Sequence, residues 1–274
     1  MGAGEQIALY IILLMKSKDS HSDYPPEAYT LLSNAEKHHF WFRGRNTIIR
    51  KIITSTYPDY SGKRILEVGC GTGYVLRELD HMGFRVTGID MHPEGLVYAK
   101  KRVPNARLVR GDLFTYKPGK PFDAIGIFDV VEHIEQDIEA LQHCARLLSH
   151  HGRLFLTVPA REELRSVYDD ISGHKRRYTK EALSRVLEKA GFRICFIGYF
   201  GFFQYFPHLF MKRFTLQKRS DQIPDTLSVL RHVVWQPPAF LNWLLEKSFD
   251  LDMFISRFMS LPIGTSLIVS AEKS

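Results

Sequence analysis

The chain has 274 residues, 45% of them apolar, and a formal net charge of +7. That is length and apolar content for one large domain, or one plus an insert, with ample core; the excess of lysine and arginine favours an acidic partner (a nucleic acid, an anionic membrane surface or an anionic substrate) without choosing among them. Three scattered cysteines, an odd number without metal spacing, argue against a disulfide framework and fit a reducing cytoplasm.

Taken in order, the first feature is Ile7–Met15, apolar on every face but far short of the ~20 residues that span a bilayer. Glu5 stands where a signal peptide would be basic, and Lys16-Ser17-Lys18-Asp19 gives no small-residue cleavage site, so a signal peptide is rejected. The run reads as a helix packed on the domain, with an anchor lying in a membrane interface as the alternative. A polar linker is expected from Ser17 to Pro26. Glu36 to Asn46 then packs Phe40, Trp41, Phe42, Arg43 and Arg45 into a few residues, a composition suited to a cap over a ligand.

Ile65-Leu66-Glu67-Val68 is a short apolar run that breaks into Gly69-Cys70-Gly71-Thr72-Gly73, followed by helical apolar spacing from Tyr74 to Leu79. The unit is strand, glycine turn, helix, and glycine lets the turn bend at positive φ and lets a ligand approach the main chain. Phe84 to Asp90 is a second strand ending in an acid about twenty residues on, where a carboxylate can accept both ribose hydroxyls of a nucleoside. Ala106 to Leu113 is a third strand, ending in Gly111-Asp112, and Phe122 to Asp129 a fourth. Strands with acids at their carboxyl ends, separated by helical segments, predict a parallel sheet with a nucleoside site along one edge.

The ordered set Glu67-Val68-Gly69-Cys70-Gly71-Thr72-Gly73, Ile89-Asp90, Gly111-Asp112 and Phe122-Asp123 through Val131-Glu132-His133 resembles the class I S-adenosylmethionine-dependent methyltransferases, in the small-molecule branch that includes the ubiquinone-pathway O-methyltransferases. The resemblance covers roughly residues 60 to 200. It implies a Rossmann-like, doubly wound, mostly parallel seven-stranded α/β sheet with helices on both faces. It places Glu67, Gly69, Cys70, Gly71 and Gly73 at the methionine part of S-adenosylmethionine, Asp90 and Met91 at the ribose, Asp112 and Leu113 at the adenine amino group, and Phe128, Asp129 and Val130 beside the adenine. It also implies that an N-terminal segment covers the cofactor, with Arg43 or Arg45 meeting its carboxylate. A nicotinamide-dependent dehydrogenase is the runner-up on fold, but it wants G-x-G-x-x-G, and the Tyr116–Lys120 pair straddles Pro118-Gly119, a turn rather than one helix face.

An amphipathic helix from Ile138 to Leu148, a fifth strand Arg153–Pro159, a helix from Lys180 to Gly191 capped by Thr179, and a sixth strand Phe192–Ile197 follow. Ser266–Ala271 is the last strand. The expected organisation is a helical cap over 1–60, a core over 61–198, an aromatic helical lid over 199–265, and a final core strand over 266–274. The lid is rich in aromatics (Tyr199, Phe200, Phe202, Phe203, Tyr205, Phe206, Phe210, Phe214, Trp235, Phe240, Trp243 and Phe258), so an apolar acceptor pocket or a membrane-facing patch is read there, with Lys212, Arg213, Lys218 and Arg219 placed to meet phosphates.

Methyl transfer needs a positioned acceptor, excluded water and, for a hydroxyl, a group to take its proton. Two clusters qualify: Asp129, Glu132 and His133, spaced to share a face of an opening helix, and the loop Gly173-His174-Lys175-Arg176-Arg177-Tyr178. His133, His174 and Tyr178 are the catalytic candidates, with Arg176 and Arg177 holding an anionic or phenolic acceptor. The branch resembled carries a Glu-x-x-Glu-His metal motif; the site is read as metal-free here, with Asp129, Glu132 and His133 as the Mg²⁺ set should one be used. The expected acceptor is a small or lipid- or glycan-linked molecule, methylated at oxygen, and the enzyme is cytoplasmic with peripheral membrane contact through the lid. Nucleic-acid methylation is disfavoured because Phe128-Asp129-Val130-Val131-Glu132 is not the Asn/Asp-Pro-Pro-aromatic pattern of base-amino methylases; a non-catalytic cofactor-binding regulator is the other alternative.

Overall fold

The computed structural model describes residues 26–166, 169–170, 172–215, 237–256 and 258–274. The Ile7–Met15 run, most of the linker from Ser17, and Lys218, Arg219 and Trp235 lie outside them, so the expectations attached to those residues do too.

Seven strands form one sheet: β1 Arg64–Val68, β2 Arg85–Asp90, β3 Arg107–Arg110, β4 Phe122–Phe128, β5 Leu148–Pro159, β6 Phe192–Phe200 and β7 Ser266–Lys273, in the order β3-β2-β1-β4-β5-β7-β6. The first five pair in parallel, and β7 runs antiparallel between β5 and β6. The order runs outward in both directions from β1, so the crevice at the carboxyl ends of β1 and β4 is the topological switch point where ligands bind in such sheets. Ile65, Leu66 and Val68 of β1 and Ala124, Ile125 and Ile127 of β4 are all buried, as strands covered on both faces require.

Eight helices accompany the sheet among the described residues: α1 Pro26–His38, α2 Phe40–Thr56, α3 Tyr74–His81, α4 Pro93–Arg102, α5 Asp137–Leu147, α6 Lys180–Lys189, α7 Phe202–Thr215 and α8 Ala239–Ile255. On one face Ala140, Leu141 and Cys144 of α5 and Leu183 and Leu187 of α6 close over the sheet. On the other, Ile48, Ile49, Ile52 and Ile53 of α2 join Val75, Leu76 and Leu79 of α3 and Phe249 of α8. Thr179 caps α6 as its sequence predicts, its hydroxyl accepting from Ala182 N at 3.2 Å.

The stretch between β6 and β7 is anchored to the N-terminal helices. Gly44 leaves room for the Phe249 ring, which lies against its Cα. Asn242 accepts from Phe40 N at 2.9 Å and donates to His38 O at 2.8 Å, and Lys51 pairs with Asp250 at 2.8 Å. Asp252, buried, accepts from Gly201 N at 2.6 Å and Phe202 N at 2.9 Å, so α8 caps the start of α7. No helix among the described residues is long and apolar enough to cross a membrane.

Candidate active site

The glycine turn forms where β1 ends. Gly69, Gly71 and Gly73 all adopt positive φ, at 68°, 48° and 76°. Gly69 N and Cys70 N donate to Ile89 O at 2.8 and 3.1 Å, fastening the turn to β2. Gly71 N donates to Asp90 Oδ2 at 2.7 Å, and His92 N to Asp90 Oδ1 at 2.8 Å. Each Asp90 oxygen keeps a lone pair for a further donor. A Cβ placed on Gly71 would meet nothing within 4 Å, which leaves open space above the main chain, whereas one on Gly69 would come within 2.5 Å of Val130. Val130, just past β4, therefore abuts the turn.

Glu67 is buried at the end of β1, and its Oε2 has no hydrogen-bond partner. Burial pushes its carboxyl well above the ordinary range, and Arg45 draws it part of the way back. Cys70 packs its buried thiol against Gly88 of β2. Asp112 accepts from Phe114 N at 2.7 Å at the end of the β3 segment, with Leu113 buried beside it and Met91 exposed. Phe128 is buried in the core against Gly126.

Asp129 does not open a helix. It takes a positive φ of 54°, its N donates to Thr157 O at 2.9 Å, and only Val131–His133 form a 3-10 turn. Its carboxylate is held by Arg45 and by Thr157 Oγ1 at 3.0 Å. The expected Asp129–Glu132–His133 face is thereby broken, and Asp129 is spent on Arg45. Arg45, not Arg43, is the arginine set against the crevice; Arg43 pairs with Glu246 of α8 at 3.1 Å on the surface.

The loop after β5 brings His174 to His133, with ring centroids 4.7 Å apart and nearly perpendicular planes. Asp169, fully buried, fixes His174 through Nδ1 at 2.8 Å and is itself gripped by Arg177 at 2.8 and 3.1 Å and by Ser166 N at 2.8 Å. Burial alone would raise Asp169; the hydrogen bond from His174 and the charge of Arg177 outweigh it and hold the carboxyl well below its usual range. Glu132, fully buried, has no hydrogen-bond partner on either carboxylate oxygen, and one ligand atom each from Glu132, His133 and His174 lie within 4.8 Å of one another. Burial pushes Glu132 well above the carboxylate range, and Asp129 adds to the shift.

Tyr178 is not brought into this cluster. It is buried, and its hydroxyl donates to Asp137 at 2.8 Å; burial and that carboxylate raise its pKa further out of reach. Arg176 likewise pairs with Asp137 at 3.0 Å. Both are spent on packing the loop against α5.

A family described as a methyltransferase domain matches residues 39–195. The chain belongs to that methyltransferase family. Its cofactor is S-adenosylmethionine. The chain is 23% identical over 190 residues to a probable S-adenosylmethionine-dependent methyltransferase of Mycobacterium tuberculosis (strain CDC 1551 / Oshkosh), covering 64% of this chain and 68% of that one. It is 36% identical over 116 residues to a ubiquinone biosynthesis O-methyltransferase of Xylella fastidiosa (strain M23), covering 40% of this chain and 47% of that protein, about half its length. In fold it resembles magnesium protoporphyrin IX methyltransferase from Synechocystis PCC 6803, with a TM-score of 0.51 at 16% identity over 84% of each chain. It also resembles phosphoethanolamine N-methyltransferase 2 of Haemonchus contortus, with a TM-score of 0.59 at 16% identity over 92% of this chain and 58% of that one.

As a methyltransferase the chain fits its cofactor. The open space over Gly71, the acceptor capacity left on Asp90 and the orphaned Glu67 oxygen beside the turn are the features that a nucleoside carrying a cationic amino-acid tail requires. One group the sequence leaves unmarked is the lock beneath the turn. Arg102 of α4 donates to Glu36 of α1 at 2.5 Å and to Thr72 Oγ1 at 2.8 Å, and Thr72 donates to Glu36 at 2.7 Å. Arg102 also donates to Ser33 O at 2.7 Å. This network ties the N-terminal cap to the glycine turn. Asp169 is the other missed residue; only its position in an acid-rich loop ahead of the His174 segment marks it in the sequence.

Proposed function

We propose that the chain methylates an oxygen of a small or lipid-linked acceptor, presented at the carboxyl ends of β4 and β5. The supporting observation is the pairing of His133 with Asp169-fixed His174 one turn beyond Val130, which itself abuts Gly69. S-adenosylmethionine, when bound, supplies the methyl group as a sulfonium. Glu67, Asp90, Asp112 and Gly71 would hold it, with Arg45 behind Glu67. The Glu132–His133–His174 cluster would receive the acceptor's oxygen and ease the loss of its proton. The Asp169 carboxylate keeps the His174 ring in one orientation, as an anionic partner on Nδ1 does. Arg161, at a φ of 68°, pairs with Glu163 at 2.9 Å, and Tyr205 of α7 donates to Glu163 at 3.0 Å, so α7 closes one side of the cleft and limits water.

Support for oxygen as the target comes from the ubiquinone O-methyltransferase likeness and from paired imidazoles at the acceptor end. Support for an amphipathic acceptor comes from α7 and α8, where Phe206, Phe210, Phe240, Trp243 and Phe254 stand exposed. Such a surface suits an acceptor carrying an apolar chain and peripheral contact with a lipid surface. The test is turnover with labelled S-adenosylmethionine against phenolic, lipid-linked and glycan-linked pools, with product mass spectra. O-methyl products from an amphipathic pool are expected; methylation at nitrogen or carbon alone overturns the oxygen assignment.

A further inference from the structure

We propose that a groove at the amino ends of β1, β2 and β3 binds a soluble polyphosphate group, at the opposite end of the sheet from the cofactor crevice. Arg64 opens β1, Arg85 opens β2 and Arg107 opens β3. Arg64 pairs in register with Arg85, and Thr87, two residues on, pairs with Arg107. Side chains alternate along a strand, so the three arginines rise from one face, on strands about 4.8 Å apart. It is the face where Leu66, Ile89 and Val109 join the core further along the same strands. The connection from β3 to β4, residues 111–121, forms turns and no helix, and its Leu113 and Tyr116 pack with that core. Toward the amino ends a groove of about 480 Å³ stays open, lined by the three arginines, Thr87, Asn105 and Asp80 over Phe84 and Val86. That volume lies within the range of small-molecule sites.

Charge decides what the groove takes. Arg85 and Arg107 are exposed, and among the described residues neither guanidinium has a hydrogen-bond or ion-pair partner. Arg64 is half-buried and already placed: it lies 4.8 Å from the centroid of the Phe122 ring and donates to Pro121 O at 2.8 Å, which uses one of its five donors. Asp80 is the one acid among the described lining residues, so the groove keeps a net positive charge. Guanidinium forks match phosphate oxygens two at a time, and arginines on adjacent strands can grip successive phosphates of one chain. Thr87 and Asn105 add neutral donors between them. A lipid headgroup is the poorer fit, because the apolar lining, Phe84 and Val86, is buried, and the exposed aromatics stand on α7 and α8 instead. Arg64 to Val68 spans about 13 Å of extended strand. A ligand held by the arginines therefore leaves the glycine turn free, and part of the chain's positive excess gains a definite partner.

The test is calorimetric titration of the full-length protein with tripolyphosphate at low ionic strength, with and without S-adenosylhomocysteine. One equivalent per chain is expected, with unchanged affinity when S-adenosylhomocysteine is bound, and orthophosphate should bind more weakly because it cannot bridge two strands. Arg85→Ala and Arg107→Ala should each weaken tripolyphosphate binding about tenfold, the effect of one lost hydrogen bond to a charged group. Arg85→Lys keeps the charge but loses the fork, and should also bind more weakly than wild type. Both positions are exposed, so S-adenosylhomocysteine affinity and the thermal midpoint should stay at wild-type values and show each variant to be folded. Absence of saturable binding, wild-type binding in the Arg85→Ala, Arg107→Ala double variant, or displacement of tripolyphosphate by S-adenosylhomocysteine overturns the site. An Arg85→Lys variant that binds like wild type reduces it to general attraction for anions. Vesicles of phosphatidylglycerol that bind through these arginines, with no binding of tripolyphosphate, would give the groove to a lipid surface and overturn the soluble ligand.

Discussion

Arg45 and Asp129, 84 residues apart in sequence, close into an ion pair that joins the second helix to the carboxyl end of the fourth strand. Both are largely shielded from solvent, and Asp129 is held there in a left-handed backbone conformation with its N–H on Thr157. Removing one partner leaves the other charge uncompensated. Arg45→Met should destabilise the fold by about 3 kcal/mol, the lower end of the range for breaking a buried pair. Arg45→Met combined with Asp129→Asn should recover part of that loss. Urea unfolding of the wild type and both variants checks it; equal stability of Arg45→Met and wild type would show the pair to be energetically idle.

Asp90 ties Gly71 and His92 while facing the crevice. Asp90→Ala should weaken S-adenosylhomocysteine binding by about 1.5–3 kcal/mol, the value of a hydrogen bond to a charged group. Gly71→Val, at a φ of 48°, should abolish binding by straining the turn and filling the open space above it. Isothermal calorimetry decides, and wild-type affinity in both variants would displace the cofactor site from this turn.

Tyr178 and His174 lie four residues apart but do different things. Tyr178→Phe should cost about 1.5–3 kcal/mol of stability through the lost bond to Asp137 and leave kcat unchanged. His174→Ala should lower kcat by about 10²–10⁴-fold with cofactor affinity preserved. Steady-state kinetics beside thermal melts separates the two, and a collapse of kcat in Tyr178→Phe would return that hydroxyl to the reaction.

Asp252 caps α7 with one oxygen while the other lacks a partner, and burial raises its pKa to about 6. The folded value lies above that of the unfolded chain, so this carboxyl favours folding most when protonated. Its contribution is present below about pH 4 and is lost as pH rises through 6. Asp252→Asn keeps an acceptor for Gly201 and Phe202 and removes the titration. The stability of Asp252→Asn relative to wild type should therefore grow between pH 4 and pH 7, by up to about 3 kcal/mol at 1.36 kcal/mol per unit. Unfolding curves at those two values check this, and a difference that does not change with pH would refute it.

The glycine turn, the acids at Asp90 and Asp112 and the alternation of strands and helices are legible in the sequence because each is local: spacing along a strand or turn decides which end a side chain occupies. The contacts that build the acceptor end are not. Asp169 with His174, Arg45 with Asp129, and Glu36 with Arg102 and Thr72 join segments that meet only when the sheet forms. Asp129-Val130-Val131-Glu132-His133 has helical spacing, yet tertiary hydrogen bonding to Thr157 pulls its first residue out of any helix. β5 begins before its apolar run because Leu148 pairs with Phe122 of β4, and Ser149 to Gly152 form the irregularity before pairing resumes at Arg153. The helical character expected for the insert is found in α7 and α8. Its docking on α2 follows from one residue without a side chain, Gly44, under one large ring, Phe249.

Phe200 and Ser266 are opposite one another at the junction of β6 and β7, so residues 201–265 leave the sheet and return to it at a single rung. Chain entropy makes such an excursion tolerant of length, since each doubling costs only about 0.6 kcal/mol. The excursion is nonetheless bound to the sheet's own core, where Phe249 packs with Ile65, Phe155 and Ile268, and Tyr205 on Glu163 fastens it again beyond β5. Length can therefore change within the excursion at little cost, while Phe249, which holds α8 to the sheet, must stay.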